Sequence, residues 1–121
     1  MEAYLGQILL FGGSYAPFDH LPCDGRLLPI LEYEALFALL GTTYGGDGQT
    51  TFGLPDLRGR VPIHPGQGMR LGEALGAATL GEAFAAPGTD VNVVAGNQDN
   101  RHPSLAMMFC ICVAGVFPSR P

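Results

Sequence analysis

Apolar and polar positions follow a helical period in one stretch of the chain, residues 32–40. Four apolar residues there recur at spacings of three and four, which places them on one helix face: Tyr33, Leu36, Phe37 and Leu40. Glutamates open the stretch and Gly41 follows it, which suits the two ends of a helix. Leu31 cannot cap the N-terminus, so about 1 kcal/mol of capping is missing. We predict one main helix at about residues 32–40.

Short apolar runs elsewhere are typical of β-strands. The two longest runs, residues 4–11 and 105–117, predict largely buried strands. Shorter strands are expected at residues 61–65 and 91–94. Residues 14–21 carry a proline and are expected to form a loop.

A glycine-rich centre predicts a hairpin. Residues 42–44 and 49–52 would be its strands, joined by the turn Gly45-Gly46-Asp47-Gly48. Glycine suits such a turn because a Cβ atom disfavours backbone at positive φ. A phosphate loop would need a lysine here, and a calcium loop would need more oxygen ligands than Asp47 and Asp56. We therefore interpret Asp47 as a turn residue.

The segment after the hairpin forms turns and carries the best polar candidates: Pro55, Asp56, Arg58, Gly59 and Arg60. Pro55 cannot donate to a β-ladder, and Asp56 suits a turn in which it accepts backbone N–H groups. In an extended segment Arg58 and Arg60 would leave on the same face. Two roles stay open for this pair: holding Asp24 or Asp56 within the domain, or binding a carboxylate or glycan across a subunit boundary.

A long run, ALFALLGTTYGGDGQTTFGLPDLRGRVPI, resembles the signature of the phage tail collar domain. That family includes short tail fibre proteins and microcystin-dependent proteins. YLGQILLFGGSYAP and CDGRLL near the start, and FCICVAGVFPSRP near the end, are also similar to it. The resemblance covers residues 4–68 and 104–121. It implies a small, turn-rich α+β collar-type domain with short strands and one main helix, which serves as an assembly unit and is often trimeric.

The resemblance is weakest in the middle of the chain. We expect a single domain over residues 1–121, in which residues 69–103 form a variable, loop-rich and shortened insertion. Many family members have a long insertion there, with a histidine-containing segment that leads to a receptor-facing part. This chain has no His-x-His pair. A receptor-binding or metal-binding tip is therefore not expected.

Three cysteines leave two interpretations open. Cys110 and Cys112 would share one strand face, where they are poorly placed to bond each other, so a disulfide would join Cys23 to one of them. Members of the collar family often have cysteines at the positions of Cys23 and Cys110, and the resemblance makes that the pair to test. The other interpretation is three buried thiols that pack as small apolar side chains.

Charge is scarce in this chain. Charged residues make up 14% of it, against roughly 25% in an average soluble domain, so burial between subunits of an oligomer is expected. A net charge of −5 without any lysine argues against nucleic-acid binding. Residues 105–117 are too short for a membrane span of about 20 residues. The first residues also lack the basic segment of a usual signal peptide.

No residue pattern predicts catalysis, a metal site or a cofactor. His20, His64 and His102 lack the paired spacing of metal ligands. The serines lack the Gly-x-Ser-x-Gly context of a nucleophile elbow. We therefore expect neither enzyme activity nor a cofactor.

The first functional hypothesis is a non-enzymatic assembly protein. It would be a self-associating subunit of an extracellular filament or of a virion or phage-tail-like appendage, with copies of itself or related collar-domain subunits as partners. An N-terminal strand would pair with the open sheet edge of a neighbour through Tyr4, Leu5, Ile8, Leu9, Leu10 and Phe11. Deleting residues 1–5 would then leave a folded but unassembled protein.

The second functional hypothesis is a compact adhesin or tail-tip module that recognises a cell-surface glycan. Aromatic and asparagine residues in predicted loops would form its binding surface: Tyr15, Phe18, Tyr44, Phe84, Asn97 and Asn100. The sequence pattern does not bring these residues together.

Overall fold

A computed structural model of the chain describes residues 3–76 and 102–121. The chain divides into two compact units, Met1–Gly72 with Met107–Pro121, and Glu73–Ala106. Every strand and helix of the described residues belongs to the first unit. The expected strand at residues 91–94 lies outside the described residues. The single domain over residues 1–121, with residues 69–103 as a variable insertion, stays a prediction.

Short elements make up the described part of the first unit. In chain order they are β1 (Ile8–Phe11), β2 (His20–Pro22), β3 (Leu27–Pro29), a 3₁₀ turn (Ile30–Glu32), α1 (Glu34–Leu40), β4 (Thr51–Gly53) and β5 (Met108–Cys112). They form one three-stranded and one two-stranded antiparallel sheet. The predicted α+β class with short strands and one main helix is confirmed.

Strand β5 is the centre of the three-stranded sheet, in the order β1-β5-β2. Ile111 lies opposite Ile8 on one side and opposite Leu21 on the other. Its side chain is fully buried, as are those of Cys110 and Cys112. The strand predicted at residues 105–117 is therefore real but shorter. The loop predicted at residues 14–21 was partly wrong, because β2 begins within it.

Strand β1 begins later than predicted because a β-bulge precedes it. Gly6, at φ 83°, donates its N–H to the Cys112 carbonyl at 2.9 Å, and the Cys112 N–H donates to the Gln7 carbonyl at 2.9 Å. Two residues thus oppose one, which ends regular pairing. The expected burial of this strand was also wrong, since Ile8 is 40% and Leu10 54% exposed. Both lie on an edge strand, where only one neighbour covers them.

The second sheet corrects the predicted hairpin. Thr51–Gly53 pairs with Leu27–Pro29, with Phe52 opposite Leu28, and not with residues 42–44. Residues 42–44 form turns, and residues 61–65 are not a strand either. The glycines serve a different purpose from the one inferred, because the backbone of residues 44–46 crosses directly over β4. Gly53 donates its N–H to the Gly45 carbonyl at 2.9 Å, an approach that side chains would prevent.

Helix α1 packs its predicted face onto the core. It begins at Glu34, two residues later than predicted, and its N-cap residue Tyr33 makes no side-chain capping hydrogen bond. Gly41 ends it at φ 58° and donates its N–H to the Phe37 carbonyl at 2.7 Å. The buried core cluster consists of Leu5, Cys23, Leu28, Leu36, Phe52, Leu54 and Ile111, with the other predicted face residues packed against it.

The crossing over β4 yields a testable glycine requirement. A Cβ atom on Gly53 would lie 2.5 Å from the Tyr44 carbonyl oxygen and 2.9 Å from its carbon. Neither atom can move without shifting the loop backbone, so we expect Gly53→Ala to destabilise the fold by about 1–3 kcal/mol. Chemical denaturation followed by circular dichroism measures this loss.

Gly66→Ala is the matched control, because a Cβ atom there meets nothing within 4 Å. Gly66 also has no positive φ, so we expect a change of at most about 0.5 kcal/mol. Equal stability losses in the two variants would contradict the close approach at Gly53.

Candidate functional site

Two turns of identical design each pair an aspartate with an arginine two residues later. In the first, Arg26 donates to the Asp24 carboxylate from its backbone N–H (3.2 Å), Nε (3.0 Å) and Nη2 (2.9 Å). In the second, Arg58 does the same to Asp56 at 3.2, 2.8 and 2.9 Å. Each is a turn closed by a side-chain carboxylate and locked by a two-pronged guanidinium contact. We call them the Asp-x-Arg turns, Asp24-Gly25-Arg26 and Asp56-Leu57-Arg58.

The two Asp-x-Arg turns face each other through an antiparallel bridge between Asp24 and Asp56. Backbone bonds flank the bridge on both sides: the Leu57 N–H donates to the Cys23 carbonyl at 2.9 Å, and the Gly25 N–H donates to the Pro55 carbonyl at 3.2 Å. A further bond from the Leu54 N–H to the Arg26 carbonyl, 3.0 Å, continues into the sheet of β3 and β4. The bridge therefore relates the two turns by an approximate local two-fold axis.

Gly25 is the residue that lets the turns approach. It has φ 78°, and a Cβ atom there would lie 3.0 Å from the Asp56 Cβ and 3.2 Å from its carboxylate. The equivalent residue of the second turn is Leu57, which packs against the core. The spacing Asp-x-Arg occurs in both segments of the sequence, and this repeat is the signal that could have found the pair. Sequence reasoning treated the two segments separately.

Arg60 joins the second turn by a different route. Its Nη1 donates to the Asp56 backbone carbonyl at 2.8 Å and lies 3.5 Å from the Asp56 carboxylate. Arg58 and Arg60 thus converge on one residue because the chain turns at Gly59, at φ 66°, and is not extended as predicted. Asp24 is held by its neighbour Arg26, and no hydrogen bond joins it to Arg58 or Arg60 among the described residues.

The arginines of the two turns also determine the ionisation of the aspartates. Hydrogen bonds from Arg58 hold the pKa of Asp56 well below its usual range, and Arg26 lowers the pKa of Asp24 in the same way. Both carboxylates are therefore ionised and occupied at neutral pH. The side chains of Arg26, Arg58 and Arg60 remain 43%, 72% and 48% exposed. A carboxylate or glycan contact from these arginines stays a prediction.

Asp47 organises the loop that leads into β4. Its Oδ1 accepts N–H groups from Gln49 (2.9 Å), Thr50 (2.8 Å) and Thr51 (2.9 Å), and its Oδ2 accepts the Thr50 hydroxyl at 2.8 Å. These bonds favour the ionised form and lower the pKa of Asp47 far below its usual range. All of its bonds come from the loop itself. The structure thus places Asp47 in a turn, closed by its own carboxylate.

A cavity of about 480 Å³ opens beside the central sheet, with His20 and Cys112 opposite each other in its wall. The His20 Nδ1 lies 2.8 Å from the Phe18 carbonyl, which can only accept, so Nδ1 carries the proton. The buried Nε2 has no partner, and the Cys112 thiol lies 3.5 Å from the Ala114 carbonyl. No cluster of three or more potential metal ligands exists among residues 3–76 and 102–121.

The cysteines lie within the described residues and are free, buried thiols. The disulfide implied between Cys23 and Cys110 is thus not formed in the structure. In the strand register Pro22 lies opposite Cys110, and the Cys23 N–H bonds to the Phe109 carbonyl at 2.9 Å. Burial, together with the smaller effects of the nearby Cys110 and Asp24, raises the pKa of Cys23 to about 11. Burial also raises the pKa of Cys110.

The three ionised carboxylates predict loss of stability in acid. Asp24, Asp47 and Asp56 have pKa values lowered in the folded protein, so their stabilising effect is complete above the unfolded value of about 3.9. As pH falls below about 4 towards the folded pKa values, that effect is lost, and we expect the melting temperature to fall steeply. Calorimetry between about pH 6 and pH 2 measures the fall.

Asp47→Asn is the variant that separates this mechanism from general acid effects. The amide oxygen can still accept the three backbone N–H groups, but it does not titrate. We therefore expect a shallower fall in melting temperature below about pH 4 than in the unaltered chain. An identical pH profile would contradict the assignment to Asp47.

Thiol reactivity tests the burial of the cysteines. A pKa of about 11 instead of 9 lowers the thiolate fraction of Cys23 at neutral pH by about a hundredfold. We expect a maleimide to modify the folded protein at least about a hundred times more slowly than the denatured protein, which should take up three equivalents. Uptake of only one equivalent after denaturation without reductant would instead show a disulfide.

The segment that contains the Asp-x-Arg turns matches a known protein family. Residues 6–62 match the family model of the Phage Tail Collar Domain, a segment that runs from the bulge before β1 past β4 and Arg60. No curated protein matches the chain. Residues 63–68 and 104–121 lie beyond the match, and their resemblance to the family stays a prediction. Residues 6–62 of this chain are thus similar to the phage tail collar domain, a structural domain of tail fibres.

Proposed function

We propose that this chain is a non-enzymatic structural subunit that associates with copies of itself in an extracellular filament or a phage-tail-like appendage. The collar family supplies the coarse part, a structural role associated with phage tails. The self-association is supported by the surface of the first unit. Related collar-domain subunits are further candidate partners.

That surface carries many large apolar side chains. Nine of those in the described part of the first unit are more than half exposed: Tyr4, Leu10, Tyr15, Phe18, Leu27, Leu31, Val61, Ile63 and Leu71. Single exposed apolar residues are common on monomers, but such surface is also what subunit contacts cover. Charged groups that would offset it are few, and five of them are paired with each other: Asp24, Arg26, Asp56, Arg58 and Arg60. The apolar surface is the observation on which the proposal depends.

The N-terminal segment has a different role from the one first inferred. Leu5 is 4% exposed and belongs to the core, and its N–H donates to the Val116 carbonyl at 2.8 Å. Tyr4 also forms a bridge to Val116. Because deleting residues 1–5 would also remove these contacts, we expect the deletion variant to be destabilised as well as unassembled. Residues 8–11 remain the part of this segment that could meet a neighbour.

One observation favours the second candidate, a compact glycan-binding adhesin or tail-tip module. Tyr15 and Phe18 stand three residues apart and are 74% and 89% exposed, and aromatic rings of this kind can stack on sugars. Tyr44 is only half-exposed. Phe84, Asn97 and Asn100 lie outside the described residues. Tyr15 and Phe18 alone support glycan binding less strongly than the whole apolar surface supports self-association.

Location follows from the proposed role. A tail-associated or extracellular appendage is the setting in which a structural collar domain would act. Within the described part of the chain, no helix is both long and apolar enough to cross a bilayer.

Negative-stain microscopy of the purified chain, with light scattering in parallel, tests the proposal. We expect a particle mass that rises with protein concentration, and regular filaments or discrete oligomers on the grid. A monomer at every concentration would contradict self-association. Glycan-array binding by that monomer, lost in a Tyr15→Ala and Phe18→Ala double variant, would establish the adhesin instead.

A further inference from the structure

The outer edge of β1 is the feature that carries a new inference. The hydrogen bonds of Cys112 to Gly6 and Gln7 at the bulge determine which residues of β1 direct their backbone N–H and C=O groups towards β5. Bonded pairs alternate along an antiparallel ladder, so Leu9–Cys110 and Phe11–Met108 are the next bonded pairs. The N–H and C=O groups of Ile8 and Leu10 therefore point away from the sheet.

The other side of β5 gives an independent check on this alternation. The Cys23 N–H donates to the Phe109 carbonyl, and the Val113 N–H donates to the Asp19 carbonyl, both at 2.9 Å. Odd-numbered residues of β5 thus bond towards β2, which leaves the even-numbered ones for β1. Both sides of the central strand give the same assignment.

The opposite edge of the sheet offers no N–H donor to another strand. The same alternation makes Leu21 the residue of β2 that bonds to β5, so His20 and Pro22 point outward. The His20 N–H is already used by the Pro17 carbonyl at 3.0 Å, and Pro22 has no N–H to donate. Strand β1 is therefore the one edge of this three-stranded sheet with donors directed outward.

Strand β1 also lacks the features that protect edge strands. Its four residues, Ile8 to Phe11, include no charge and no proline. The two residues with outward backbone groups are also those with exposed side chains, Ile8 at 40% and Leu10 at 54%. Backbone donors and apolar side chains are thus available on the same residues.

We propose that the β1 edge binds the β1 edge of a second copy of this chain, antiparallel and about a two-fold axis at Leu9. In that register Ile8 lies opposite the partner copy's Leu10, and Leu10 lies opposite its Ile8. Each of the two opposed pairs is a bonded pair, so all four outward groups of each copy are used. The two copies together make a six-stranded sheet, whose outer edges are both the β2 edge, where no N–H donor is free.

This inference rests on the proposed self-association and names its partner and symmetry. A second copy fits because the edge is self-complementary: one residue sequence supplies both strands, and the four-residue strand is uncharged. The contact closes on itself, so it pairs two chains and does not by itself extend a filament.

Leu10→Lys is the first test. Lysine on an edge strand opposes pairing with another strand. The substitution should not disturb the chain's own sheet, because the backbone N–H of residue 10 makes no hydrogen bond to β5. We expect folding to be unchanged by circular dichroism, and the dissociation constant of the pair to rise at least about tenfold in sedimentation experiments. Ala38→Lys is the matched control: it adds the same charge at an exposed residue of α1, which lies outside both sheets and outside the exposed apolar surface, and should leave the constant unchanged.

Cross-linking tests the register and does not depend on Leu10→Lys. Opposed bonded residues have Cα atoms about 5.5 Å apart, within disulfide range, whereas like positions in this register are about 7–8 Å apart. An equimolar mixture of Ile8→Cys and Leu10→Cys chains should therefore form disulfide-linked pairs several times faster than either variant alone. The native thiols are buried, so the new cysteine is the reactive one.

The outcomes separate this inference from the function on which it rests. If the unaltered chain assembles while Leu10→Lys assembles equally well and the mixture shows no preference, the β1 pairing is wrong and self-association stands. Faster linking of either single variant than of the mixture would overturn the antiparallel register. A monomer at all concentrations with no cross-link in any sample would overturn both proposals.

Discussion

The fold of the first unit depends on one long-range contact, the insertion of β5 between β1 and β2. Those two strands come from the first part of the chain, yet they do not bond to each other, and both bond only to residues 108–112 within their sheet. The segment that matches the collar family, residues 6–62, therefore contains two strands without the strand that joins them. Closing so long a loop is entropically costly and slow, so the N-terminal strands should order only when β5 arrives.

How well the sequence predicted each element depends on how local its cause is. The helix is encoded by side chains within one stretch, so its face and its glycine end were found, with only its first residues misplaced. The prediction of a hairpin was wrong because glycine-rich segments serve two purposes that look alike in sequence. One is a tight turn, and the other is a close approach between two backbone segments. Gly46 and Gly53 are needed for the second purpose, since a Cβ atom on either would collide with backbone from the other segment. Only the three-dimensional pairing of β4 with β3 distinguishes the two.

The hydrogen-bond partners in the Asp-x-Arg turns could likewise be predicted from the sequence only in part. That Asp56 and the neighbouring arginines form a turn follows from residue type, but their partners depended on where the chain bends. Gly59 bends it so that Arg58 and Arg60 both reach Asp56, while Asp24 uses its own neighbour Arg26. The repeat of Asp-x-Arg was visible in the sequence, yet its meaning required the bridge between Asp24 and Asp56. The position of Cys23 relative to Cys110 likewise depends on strand β2. That strand was not predicted, because it is short and contains a proline.

Charged groups and apolar groups on the surface of the first unit differ in what they can offer to a neighbouring subunit. The charged groups of the Asp-x-Arg turns already bind each other, so they offer a neighbour little beyond the outer faces of the arginines. The first unit also offers a neighbour apolar surface and, at β1, unpaired backbone. A two-fold contact through β1 can join two chains or two larger assemblies, but it cannot generate three-fold symmetry, which needs different surfaces of each copy to meet. A trimer or a filament of this chain must therefore use a second contact, and the exposed apolar residues away from β1, such as Val61 and Ile63, are where the structure offers one.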